Sequence, residues 1–144
     1  MHPLGALLTA RLVLETVKEN EIEAEAIGGL TLGADPIVSS VAVVSEIEKT
    51  SLPGFIVRRE AKGHGAKRLI EGWQGKRGSR VIVVDDVCTT GSSIIQACES
   101  VESVGYEVAA TICIVDREEG GANIIRSRYE FYPIFTATEL LDRE

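Results

Sequence analysis

The chain has 144 residues, 44% of them apolar and 26% charged, with 15 Lys and Arg against 22 Asp and Glu. That profile fits one ordinary soluble domain and excludes disorder and a multidomain assembly, and a chain this size buries roughly two thirds of its unfolded surface, enough for one sheet covered by helices. A net charge of -7 excludes broad affinity for nucleic acid or anionic membrane, so any anionic ligand needs a local basic patch.

Met1-His2-Pro3 does not open a signal peptide, and runs such as Arg80-Val81-Ile82-Val83-Val84 stop far short of the ~20 residues of a membrane span, so a cytosolic protein is expected. From Pro3, Leu4, Leu7, Leu8, Leu12, Leu14 and Val17 recur at mostly helical spacing, which predicts an amphipathic helix ending near Asn20. Residues 24–27 read as a short strand entering a glycine loop over 28–35, and Pro36 starts a helix through Ser45. Pro53-Gly54 turns the chain into a strand over 55–59. The segment at about 60–78 is rich in glycine and charge without apolar periodicity, and is expected to be a flexible basic loop, since a long structureless loop is usually a functional lid or a disordered segment.

Residues 81–84 form a β-branched run, the composition of a strand covered on both faces, and 85–90 lead into a helix beginning near Gly91 and ending by Gly105. A strand over 108–115, a turn over 116–121, a helix over 122–128 and a strand over 131–135 complete the chain. Strands alternating with helices predict a single α/β domain over 1–144, its mainly parallel sheet flanked by helices and joined by right-handed crossovers. Ligands of such sheets sit beyond the carboxyl ends of the strands. Cys88, Cys98 and Cys113 are odd in number, unpaired in spacing and accompanied only by His2 and His64, so neither a disulfide framework nor a zinc site is expected; Cys98 and Cys113 read as core fillers.

The strongest chemical signal runs from Val81 to Ser93, where a buried strand ends in Asp85 and Asp86 and continues through Val87, Cys88, Thr89, Thr90, Gly91, Ser92 and Ser93 into a helix start. Free amides there attract a phosphate, the hydroxyls add donors, and Gly91 lets the backbone approach. The two carboxylates repel phosphate and suit ribose hydroxyls, or magnesium through water. A phosphate site beside acceptors for sugar hydroxyls describes a phosphorylated ribose. The plainer alternative is a hydroxyl-capped helix beside a solvated Asp pair. An acidic receiver-like pocket is a further rival, but it needs an acidic pair early in the chain, and none is convincing here. Independently, eight of the 15 Lys and Arg lie between Arg58 and Arg80 with only Glu60 and Glu71 against them, so this window carries +6 within a remainder of -13. It is either an anion site or a solvated, solubilising loop.

The segment after Val84 resembles the ribose-phosphate motif of the type I phosphoribosyltransferases, two acidic residues followed by V-x-T-x-G-x-S, at every one of those positions. With Arg58-Arg59-Glu60-Ala61-Lys62-Gly63-His64-Gly65, it is similar to the orotate phosphoribosyltransferases, whose mobile loop carries R-K-E-x-K-x-H-G; Arg59 replaces the commoner lysine, and a guanidinium is not equivalent to an ammonium. The resemblance implies that orotate displaces pyrophosphate from C1 of 5-phosphoribosyl 1-pyrophosphate (PRPP), giving orotidine 5'-phosphate for pyrimidine synthesis. By the same resemblance Thr89 to Ser93 would hold the 5'-phosphate and Asp85 and Asp86 the ribose, with Val87 and Cys88 also among the PRPP-binding residues. Arg58, Arg59, Lys62 and His64 would contact the pyrophosphate, and Thr89 would touch orotate.

Asp116-Arg117-Glu118 matches the family's D-R-[EQ] segment, in which the arginine holds the orotate carboxylate, and Arg117 follows Thr89 by the expected 28 residues. The loop over 28–35 corresponds to the family's pyrophosphate-binding loop, with Leu32 near the place of a common lysine. Lys62, His64, Asp85 and Asp86 are the implied catalytic residues, with Mg2+ held through PRPP and water, and a homodimer is expected by analogy. Relatives usually carry some forty or more residues before the His2-Pro3 segment, and the hood these form over the base is expected to be missing. Two alternatives stay open: a phosphoribosyltransferase for another base such as a purine, and a regulator that binds PRPP without catalysis.

Overall fold

The computed structural model describes residues 2–60 and 69–142. Helix α1, Pro3–Glu19, starts on a proline, whose missing N–H is harmless in a first turn. Ala10 and Val13 are fully buried, while Leu4 and Leu8, which share its leucine periodicity, stay about half exposed. Strand β1 is Ala26–Leu30 and helix α2 Asp35–Ile47. Here the expectation of a glycine loop beginning at Gly28 is corrected, because Gly28 and Gly29 lie inside the strand. Side chains are missing there for lack of room: a Cβ on Gly28 would run into the Phe55 ring, and one on Gly29 into the Val84 carbonyl and Ala34.

Strand β2, Gly54–Val57, stops before Arg58, two residues earlier than the sequence reading. The short β3, Ile70–Gly72, lies inside the segment read as a loop and pairs antiparallel with β2. Three residues are too few to leave an apolar period, so pairing with β2 is what defines it. Strand β4, Arg80–Cys88, runs four residues past the expected end and carries Asp85 and Asp86 within it. Helix α3, Ser92–Ser103, follows, and Gly105 beyond it has φ +92° as its predicted place requires.

Strand β5, Glu107–Asp116, and helix α4, Gly121–Arg126, follow, the helix starting one residue before and ending two residues before the sequence reading. Strand β6 is Phe131–Thr136, and helix α5, Ala137–Leu141, was not foreseen. Its start was nonetheless written in the sequence: Thr136 accepts from the Glu139 N–H and Glu139 from the Thr136 N–H, a reciprocal capping box.

The six strands form one sheet in the order β3-β2-β1-β4-β5-β6, parallel except for β3. Alternation along β4 divides the core. Ile82 and Val84 face α1 and α2 with Ile27 and Ile112, and Val81 and Val83 face α3 and α4 with Phe55, Ile94 and Ile125. From β1 the chain works outward through β2 to β3, then returns to build β4, β5 and β6 on the other side. This reversal opens a crevice at the carboxyl ends of β1 and β4, where ligands of doubly wound sheets bind.

Candidate functional site

Two connections border that crevice, the β1–α2 loop over 31–34 and the turn from β4 into α3. Asp85, at the end of β4, is 6% exposed, whereas Asp86 is exposed. The Asp86 N–H donates to Asp85 Oδ1 at 3.0 Å, and the Val87 N–H donates to Asp86 Oδ1 at 2.8 Å. Burial pushes the Asp85 carboxyl up to about 6; the Asp86 N–H opposes this, the Asp86 charge reinforces it, and the Arg59 charge opposes it. Arg59, just past the end of β2, therefore acts electrostatically on Asp85.

The β1–α2 loop packs on the same carboxylates, since a Cβ added to Gly33 would lie 2.9 Å from both Asp85 Oδ1 and Asp86 Oδ1. In this loop the Thr31-Leu32 peptide is cis, Leu32 is 79% exposed, and the Thr31 hydroxyl donates to Asp35 Oδ2 at 2.8 Å. Asp35 Oδ1 is buried with no hydrogen-bond partner among the described residues. The loop brings amides and an apolar side chain to the crevice, and no cation.

Past Cys88 the chain bends through Thr89, Thr90 and Gly91. The Thr89 carbonyl accepts from the Gly121 N–H at 3.0 Å, and Gly91 takes φ +79°, a left-handed turn that starts α3 without a side-chain cap. The Thr90 hydroxyl donates to Ser92 Oγ at 3.2 Å and accepts from the Ser92 N–H at 3.4 Å. The remaining amides of the first helical turn, with Ser92 and Ser93 beside them, line a small hollow that also touches Asp85, Val87 and Thr89. Cys88 borders the hollow too, but it is 1% exposed and its side chain packs in the core. Burial, then Asp116 and Asp85, push its thiol up to about 11, which removes it as a nucleophile. Cys98 and Cys113 are buried with their thiols pushed up in the same way, as core fillers would be.

On the far side, the Arg117 N–H donates to the Cys88 carbonyl at 2.9 Å, which ties the end of β5 to the β4 turn. Its guanidinium is exposed and pairs with Glu119 at 2.8 Å. Glu118, at φ +61°, accepts from the Thr138 N–H at 2.8 Å and the Thr138 hydroxyl at 2.6 Å, and these bonds hold its carboxyl below the usual range. Arg58 is committed to Glu71 on β3, at 2.7 Å and 2.8 Å, so it is not free in the manner its motif implies. Lys62 and His64 lie outside the described residues. The structure brings the predicted β4 turn and Arg117 side by side, and places Gly33, which lies in the predicted loop over 28–35, against the acidic pair; the contacts of Glu71 and Glu119 depend on pairings that no spacing encodes.

Among the described residues no three His, Cys, Asp or Glu cluster to hold a metal, and no helix is long and apolar enough to cross a membrane. A cleft of about 1160 Å3 between the end of α1 and Leu52 opens at the amino ends of β1 and β2, away from this site.

The profile of the phosphoribosyl transferase domain family matches residues 29–137. The orotate phosphoribosyltransferase of Aquifex aeolicus is 45% identical over 96% of this chain and 75% of its own length, and that of a Nostoc species is 43% identical over 99% and 68%. Among solved structures, the Mycobacterium tuberculosis orotate phosphoribosyltransferase in complex with PRPP aligns with a TM-score of 0.80 at 32% identity, covering 96% of this chain and 77% of that one.

Proposed function

This chain belongs to the orotate phosphoribosyltransferases of the phosphoribosyl transferase domain family, and from that membership we propose how its residues divide the reaction. The activity joins orotate to the ribose of PRPP, forming orotidine 5'-phosphate and pyrophosphate in pyrimidine synthesis. A bond forms between the orotate ring nitrogen and C1 of the ribose, while the bond from C1 to the pyrophosphate oxygen breaks and its electron pair leaves with pyrophosphate. Charge builds on the leaving group, so the work falls to positioning and to a preorganised field rather than to a covalent nucleophile.

The observation that carries this reading is the acidic pair at the β1–β4 switch point beside an uncapped helix start. In our reading the amides of α3 with Thr89, Thr90, Ser92 and Ser93 hold the 5'-phosphate, and Asp85 and Asp86 accept from the ribose hydroxyls. Arg59, Lys62 and His64 meet the pyrophosphate, joined by Arg58 once Glu71 releases it. Thr89 and Arg117 hold orotate, the guanidinium pairing with its carboxylate.

Magnesium fits this donor set as a hydrated ion. Two carboxylates without a third ligand suit a cation that keeps its waters, held by Asp85 and Asp86 through water and by the substrate's own oxygens. When bound it supplies charge neutralisation to the departing pyrophosphate. We read the protein as a single cytosolic domain working as a homodimer, because in the family the loop lysine and histidine reach across to a second copy.

The test is calorimetry with PRPP and magnesium followed by an orotate absorbance assay. We expect binding and magnesium-dependent loss of the orotate signal. Binding without turnover would make the chain a PRPP-binding regulator, and turnover of a purine in place of orotate would overturn the choice of base.

A further inference from the structure

Gly33 has a φ outside the left-handed region, so its backbone does not require glycine. What excludes a side chain is space: a Cβ there would lie 2.9 Å from Asp85 Oδ1 and 2.9 Å from Asp86 Oδ1, inside van der Waals contact. Carboxylate oxygens usually swing aside at little cost, but these two are fastened. Asp85 Oδ1 holds the Asp86 N–H at 3.0 Å in a 6% exposed side chain, and Asp86 Oδ1 holds the Val87 N–H at 2.8 Å. The oxygens a methyl group would strike are the same ones that fix each carboxylate to the strand.

We propose that Gly33 is a positioning residue for the acidic pair. Its bare Cα lets the β1–α2 loop press on both carboxylates, clamping one oxygen of each against a backbone N–H and leaving the others aimed at the sugar hydroxyls. The same contact joins the loop on the pyrophosphate side of the crevice to the residues on the ribose side, so the two halves of the substrate site share one mechanical seat. This proposal rests on the assignment of Asp85 and Asp86 to ribose.

Gly33→Ala tests it, with Gly5→Ala as control because a Cβ there meets nothing within 4 Å. Gly33→Ala is expected to raise the KM for PRPP about tenfold or more while the KM for orotate stays within about twofold. In an Asp86→Ala background, where one of the two struck oxygens is gone, the same substitution is expected to raise it about threefold or less. Equal changes in both KM values, or a full tenfold effect in the Asp86→Ala background, overturn the proposal. Asp86→Ala alone reports on the ribose assignment: an unchanged KM for PRPP sinks that assignment, whereas a large rise there beside a silent Gly33→Ala sinks only the role of Gly33. If Gly33→Ala shows no cooperative melting, the double variant decides. Restored melting demonstrates the contact, and continued failure places Gly33 in the fold rather than in the site.

Discussion

Arg117 already holds a carboxylate before any substrate arrives. Its partner Glu119 sits at 2.8 Å, and both side chains are about half exposed. An exposed pair of this kind contributes about 0–1 kcal/mol, so an orotate carboxylate that offers two oxygens to the guanidinium can displace it. Glu119→Gln is therefore expected to lower the KM for orotate about two- to fivefold, with kcat and the KM for PRPP unchanged. Arg117→Ala is expected to raise the KM for orotate at least about tenfold, and steady-state kinetics on the two variants check both directions. An orotate KM that ignores Glu119→Gln would remove Glu119 as a competitor. Arg117 itself was legible from D-R-E after an apolar strand, whereas its resting partner was not, because neighbouring glutamates compete for it through rotamers.

At the scale of elements, the turn from β4 into α3 depends on Gly91. Its φ of +79° is the left-handed conformation that costs a residue with a Cβ about 1–2 kcal/mol. An added Cβ would also lie 3.1 Å from the Gly121 carbonyl oxygen and from the Ile125 side chain. Gly91→Ala is expected to lower stability by about 1–2 kcal/mol in urea melts and to weaken PRPP binding as the helix start shifts; unchanged stability would show that the turn relaxes freely. The sequence carried α1, β4, α3 and β5 plainly, because the helices are long and the strands are built on apolar runs. It misled at Gly28 and Gly29, since what makes glycine necessary in β1 is the Phe55 ring, which arrives from a different strand. It was silent on β3, whose antiparallel pairing is fixed when the Leu69 carbonyl accepts from the Arg58 N–H at 2.7 Å and the Gly54 carbonyl from the Trp73 N–H at 3.0 Å.

For the molecule as a whole, the site is built at the expense of stability, and pH exposes it. The folded Asp85 titrates at about 6, above an unfolded aspartate near 4, so folding favours its protonated form. That contribution is fully present below about pH 4 and is lost as the pH rises through about 6. Asp85→Asn cannot ionise and should be more stable than the parent at pH 8 by about 1–2 kcal/mol, a range reduced for solvent screening, with little difference at pH 4. Thermal melts across that range check the sign, and equal melts at pH 8 would mean that the carboxylate is not strained by burial.

The borders of the sheet bear on what happens when the protein is crowded. One border is the three-residue β3, and the other is β6, which carries Pro133 at its middle and so lacks an N–H there. Neither offers an incoming chain a continuous ladder to extend. At high concentration the molecule is therefore guarded against the strand-by-strand growth from which fibrils begin.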